Sequence, residues 1–156
     1  HRTWLAPAAD GRWTKAPLER PKMVYGSHKG GTIRLWRGAS RRPLGEAPPD
    51  DTIAVAEGIE DALTVALVCP EWRVLAAVSV GNLVELELPP AVKDVVLVCQ
   101  RDGENRGVRR ARERAVTRWH AEGRAPRLAW PPEGFKDFND WLKAESHDTA
   151  AASGAT

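Results

Sequence analysis

Three short acidic stretches, far apart in the chain, carry the residue types that suit chemistry on phosphates. Glu57 follows the apolar run Ile53–Ala56 and precedes Gly58. A carboxylate at such a bend can ligate magnesium or move a proton, and glycine beside it permits a tight turn or a close backbone approach. Asp102 lies three residues past Cys99, which ends the apolar run Val95–Cys99, and Glu104 is near enough to assist directly or through water. Magnesium prefers oxygen ligands and often takes only one or two carboxylates beside phosphate and water, so Asp102 fits a ligand role. The third stretch is Lys136-Asp137-Phe138-Asn139-Asp140. There Asp137 and Asp140 can set negative charge beside a metal, Lys136 can neutralise a phosphate, and Asn139 can organise the loop or cap a helix. Plainer readings stand beside these: Glu57 and Asp140 as first-turn acids, Asp102 as a helix cap.

A basic field lies next to the second stretch. The net charge is only +2, yet from Arg101 to Arg127 nine arginines face four carboxylates. Arg101, Arg106, Arg109, Arg110, Arg114 and Arg118 are candidate phosphate contacts through the bidentate guanidinium fork. A solvated helix face would use the same residues. Lys29, in the glycine-rich segment Gly26–Gly31, is a weaker candidate for a phosphate contact.

These residues need elements that bring them together. Residues 1–50 read as an N-terminal extension with a β-hairpin, its strands at 23–25 and 32–36 around the 26–31 turn. Strands are expected at 52–56, 74–78, 95–99 and 127–130, and helices at about 59–69, 105–121 and 138–144, with a short helix or turn at 82–86. In the second long helix Val108, Ala111, Ala115 and Trp119 make one apolar stripe, and Gly123 can end it. Residues 51–144 then form one core, and 145–156 a flexible tail. Strands alternating with helices indicate a mainly parallel, four-stranded α/β sheet covered on both faces. Residues that follow its strands collect along one edge, where open α/β sheets place their chemistry. Glu57, Ser79, Gln100, Asp102 and the loop 133–140 all belong to that edge.

Other chemistries find little support. Cys69 and Cys99 each end an apolar run and read as buried hydrophobes, not as a disulfide framework or zinc site. Ser79-Val80-Gly81 lacks the G-x-S-x-G pattern, and Gly26–Gly31 lacks Walker spacing. No run approaches the eighteen apolar residues of a membrane span, so a cytoplasmic location without a membrane partner is expected. The chain does not open on methionine, and companion domains are expected beside it.

Taken in order, Glu57-Gly58-Ile59-Glu60-Asp61-Ala62, the strand Val95–Cys99 leading to Gln100-Arg101-Asp102, and Lys136–Asp140 resemble a Toprim domain. The resemblance is nearest to primases and primase-helicases of phages, plasmids and mobile elements. It is clearest over 51–144, and Lys29–Leu35 is similar to the lead-in of such proteins. It implies a Rossmannoid fold in which a strand-end glutamate and a D-x-D pair hold Mg2+ (or Mn2+), the glutamate also moving a proton. Carried over, Glu57 and Asp102 are metal-binding and catalytic residues, with Lys136 catalytic and Glu104, Asp137 and Asp140 auxiliary. Gln100 stands where the first aspartate of the pair belongs; its carbonyl oxygen can ligate but brings no charge. Gly58 and Asn139 would support the site. The implied activity is primer synthesis by nucleotidyl transfer on a single-stranded DNA template with nucleoside triphosphates. A helicase or zinc-binding primase domain would complete the protein. The alternatives are Toprim-type phosphodiester cleavage, for which the sole tyrosine Tyr25 has no catalytic setting, and a weakened module that binds nucleic acid or a replication partner.

Overall fold

A computed structural model describes residues 2–101 and 105–153. The chain opens on short strands: β1 (Arg2–Thr3), β2 (Leu5–Pro7), β3 (Trp13–Lys15) and β4 (Lys22–Met23). β1 pairs antiparallel with β4, and β2 with β3. A small N-terminal hairpin is therefore present, but it is β2–β3 and does not span the 26–31 turn. The segment after that turn, β5 (Ile33–Arg37), instead enters the main sheet. The physical reason is burial: pairing with β7 packs Ile33 and Leu35 against the core while Arg34 and Trp36 face outward.

The core then runs β6 (Thr52–Ala56), α1 (Ile59–Val68), β7 (Arg73–Ala76), α2 (Val80–Leu83), β8 (Asp94–Val98), α3 (Arg106–Ala121), β9 (Ala125–Ala129) and α4 (Phe138–Ser153). The sheet order is β5-β7-β6-β8-β9, with β6 to β9 parallel and β5 antiparallel on β7. This is the expected α/β Rossmannoid sheet with one further strand. α4 continues well past the expected end at 144. No helix among the described residues is long and apolar enough to cross a membrane.

Side-chain size divides the two faces of the sheet. Ala54 and Ala56 of β6, with Ala76 of β7, lie under α1, where Ala62 and Val65 pack. Small residues there let the helix approach closely. The opposite face carries Ile53, Val55, Leu75 and Leu97, covered by α2 and α3 through Leu83, Ala115 and a fully buried Trp119. Ala115 and Trp119 belong to the apolar stripe expected of α3. Its start is capped by the Asn105 side chain, which accepts from the N–H groups of Gly107 (2.9 Å) and Val108 (3.3 Å). Gly123, at φ 71°, ends it in the left-handed conformation that favours glycine.

At the sheet edge remote from the strand ends, Arg73 is 2% exposed and joined to Asp51 at 2.8 Å. Its guanidinium also donates to the Arg42 carbonyl (2.9 Å) and to Ser40 Oγ (3.0 Å), so the connector 37–50 is tied to β7. A buried charge left without its partner typically destabilises by about 3–5 kcal/mol, whereas replacing both partners by apolar groups is often near neutral. Arg73→Ala is therefore expected to lower the unfolding free energy by about 3–5 kcal/mol in urea titrations, and Asp51→Leu with Arg73→Met by much less.

Candidate functional site

The chain steps from β6 to β7 on one side of the sheet and from β8 to β9 on the other. The connections diverge between β6 and β8, and a crevice outside the carboxyl ends of these strands is the usual ligand position in such sheets. A cleft of about 390 Å³ lies there. Glu57 comes to it from the end of β6, Gln100 from just past β8, and Lys136, Asp137 and Asn139 from the loop and first turn of α4. The structure thus brings Glu57, Gly58, Gln100, Lys136, Asp137 and Asn139 together. Asp102 and Glu104 lie outside the described residues.

The cleft is also lined by a residue that the sequence motifs do not mark as chemical. Asp61, in the first turn of α1, is 2% exposed. Its Oδ2 accepts from Gln100 Nε2 at 2.6 Å and its Oδ1 from the Asn139 backbone N–H at 3.1 Å. One carboxylate therefore joins the end of β8, the start of α1 and the start of α4. The sequence did carry a signal. Asp61 precedes Val65 by four residues, on the stripe that buries Ala62 and Val65, so a carboxylate there had to find donors. Burial pushes the Asp61 carboxyl above its ordinary range; the Gln100 amide and Asn139 N–H partly offset this, and nearby Asp137 adds to it.

The neighbouring groups have defined tasks. Gly58 passes close to the amide, since a Cβ there would lie 3.9 Å from Gln100 Nε2 and 3.3 Å from Glu60 Oε2. The helix cap expected of Asn139 is supplied by Asp137, whose Oδ1 accepts from the Asp140 N–H at 2.8 Å. Lys136 is held by its carbonyl, which accepts from the Arg101 N–H at 2.7 Å. Asp140 does not line the cleft. Val78 does, with a φ of 73° that is rare for a β-branched residue. Hydrogen bonds on the adjacent Ala77 clamp it: the N–H donates to the Ala56 carbonyl (2.8 Å) and the carbonyl accepts from Asn82 Nδ2 (2.9 Å).

Two further lysines, Lys15 of β3 and Lys22 of β4, form part of the wall. Nothing in the sequence pattern points to them, because their position depends on how the short N-terminal strands fold over the core. Lys22 lies 3.6 Å from Glu60. Burial pushes the Glu60 carboxyl up, but its own backbone N–H and the Lys22 and Lys15 ammoniums together hold it below its ordinary value.

The basic run divides by role. Arg124 is buried and donates to the carbonyls of Leu88, Pro89 and Val92, a structural task. Arg118 pairs with Glu122 at 2.7 Å and reaches the Val84 carbonyl; Arg109 lies 3.8 Å from Glu113. Arg106, Arg110 and Arg114 are exposed on α3. Lys29 pairs with Glu85 at 3.5 Å and does not line the cleft.

The Toprim resemblance implies a magnesium site, and the described residues do not complete one. Among them no group of three or more His, Cys, Asp or Glu side chains is placed to hold a metal ion. Both Asp61 oxygens accept hydrogen bonds, and Gln100 turns its amide nitrogen toward that carboxylate.

The raised Asp61 pKa has a stability consequence. In the window between the ordinary carboxylate value and the raised one, the folded state binds more protons than the unfolded chain, so this group's contribution to stability falls as pH rises. Urea unfolding of the wild type and Asp61→Asn across pH 3.5 to 6.5, roughly the span over which such carboxyls titrate, checks the sign. The wild type is expected to lose stability relative to the variant as pH increases, and a constant difference would contradict it.

Comparison with protein-family models matches residues 52–148 to the Toprim domain. That span starts at β6 and runs into α4, and it includes every cleft residue except Lys15 and Lys22. No curated protein and no solved structure shows a significant match to the chain. With its crevice-forming strands and most of its cleft inside the matched span, the chain belongs to the Toprim domain family.

Proposed function

We propose that this chain is a catalytically weakened Toprim module that binds single-stranded nucleic acid within a replication protein of the primase or primase-helicase type. The observation that carries this reading is the Gln100–Asp61 hydrogen bond. In the family pattern the position of Gln100 belongs to the first aspartate of the D-x-D pair. A carboxylate there would face buried Asp61 and repel it; an amide donates to it instead. Relative to that pattern, Gln100 lacks one charged ligand, and its amide nitrogen is engaged by Asp61. Meanwhile Lys15, Lys22 and Lys136 line the same cleft, and lysines of this kind neutralise phosphates without needing a metal.

A second reading, primase-type nucleotidyl transfer with Mg2+ or Mn2+, is favoured by Glu57 and Lys136 lining one cleft. On that reading Glu57 takes the proton of the attacking hydroxyl, and Lys136 neutralises the triphosphate. Asp102, two residues beyond Gln100, would be the second metal-binding carboxylate.

Fluorescence anisotropy with a labelled single-stranded oligonucleotide, in EDTA and in magnesium, separates the two when run beside a primer-synthesis assay. The weakened-module reading expects salt-sensitive binding in EDTA and no template-directed product. Lys22→Ala with Lys136→Ala should reduce the slope of log K against log salt by about 1.4 for two lost phosphate contacts on a single strand. Template-directed product that Glu57→Gln and Asp102→Asn abolish would establish the second reading in its place.

A further inference from the structure

Most arginines with close polar partners are neutralised by carboxylates: Arg109 by Glu113, Arg118 by Glu122 and Arg127 by Asp94. Two beside Trp130 behave differently. Arg112 lies over the Trp130 ring at 4.7 Å from its centroid, and Arg101 at 5.8 Å. Neither has a carboxylate partner among the described residues. Arg101 is held in place through Nε, which donates to the Pro131 carbonyl at 3.1 Å. A guanidinium resting on an aromatic ring keeps its in-plane N–H donors for oxygen acceptors.

Trp130 itself is 41% exposed. It follows the edge strand β9, immediately before a buried Pro131 that anchors the turn. Arg101 adjoins Gln100 in sequence, and its N–H donates to the carbonyl of the cleft residue Lys136. The aromatic cluster therefore begins where the cleft ends. An exposed indole beside two cations that have no carboxylate partner among the described residues offers a surface for a base and charge for the flanking phosphates, the combination that unpaired strands require.

We propose that Arg101, Arg112 and Trp130 form a contact for an unpaired nucleotide of single-stranded nucleic acid: the base packs against Trp130 and the arginines hold its phosphates. This rests on the nucleic-acid-binding reading above and assigns the direction in which the strand leaves the cleft, toward β9.

The test is anisotropy of the full chain with two labelled ligands, an oligothymidylate of about 16 nucleotides and an abasic oligomer of the same length. Trp130→Ala is expected to weaken oligothymidylate binding about tenfold and to leave abasic binding unchanged, while Trp130→Phe stays near wild type. Arg112→Ala is expected to weaken both. Equal loss on both ligands in Trp130→Ala would overturn the stacking role, because the indole would then only support the arginines. Unchanged binding in Trp130→Ala, with Lys22→Ala and Lys136→Ala still weakened, would overturn this contact and leave the cleft reading standing. Failure of the wild type to bind either ligand would overturn both.

Discussion

The arrangement of the cleft depends on one buried carboxylate finding donors. Asp61 sits on the inward stripe of α1, where an unsatisfied charge could not be accommodated, and it draws in the Gln100 amide and the Asn139 N–H. Those two donors come from segments that are distant in sequence. Meeting them fixes the end of β8 and the start of α4 against the first turn of α1, and Glu57 and Lys136 are positioned as a result. The same bonds that organise the site occupy both oxygens of Asp61 and the amide nitrogen of Gln100.

The fold was largely legible because its signals are local. Blunt apolar runs at 53–56 and 95–99 mark strands buried on both sides, and the stripe ending in Ala115 and Trp119 marks α3. Where the reading missed, the deciding force was non-local. β5 carries the same alternation whether it pairs with a neighbour in sequence or with β7, and only burial of Ile33 and Leu35 in the core selects the latter. The two-residue strands β1 and β4 have no periodicity to read at all.

The candidate site divides in the same way. Glu57, Gln100 and the 136–139 segment were placed by strand ends, since parallel topology collects those positions at one edge. Asp61 lies within the segment Glu57–Ala62, but its task is not legible there, because a first-turn acid is ordinarily a surface residue favoured by the helix dipole. Lys15 and Lys22 were invisible for want of any pattern linking them to the core. Within the arginine run, composition alone could not separate a structural Arg124 from Arg101 and Arg112, whose surroundings are set by Trp130 and the carbonyls nearby.

The N-terminal strands have a consequence for how this domain should be cut and compared. Of the described ionisable groups lining the cleft, the core contributes Glu57, Glu60, Asp61 and Asp137 against a single ammonium, Lys136. Lys15 and Lys22 bring the cleft close to neutrality, and both lie before the span that the family shares. The family segment taken alone would present phosphates with a repellent opening. The charge of the cleft thus depends on the extension, and a boundary drawn at residue 50 would remove two of its three described ammoniums.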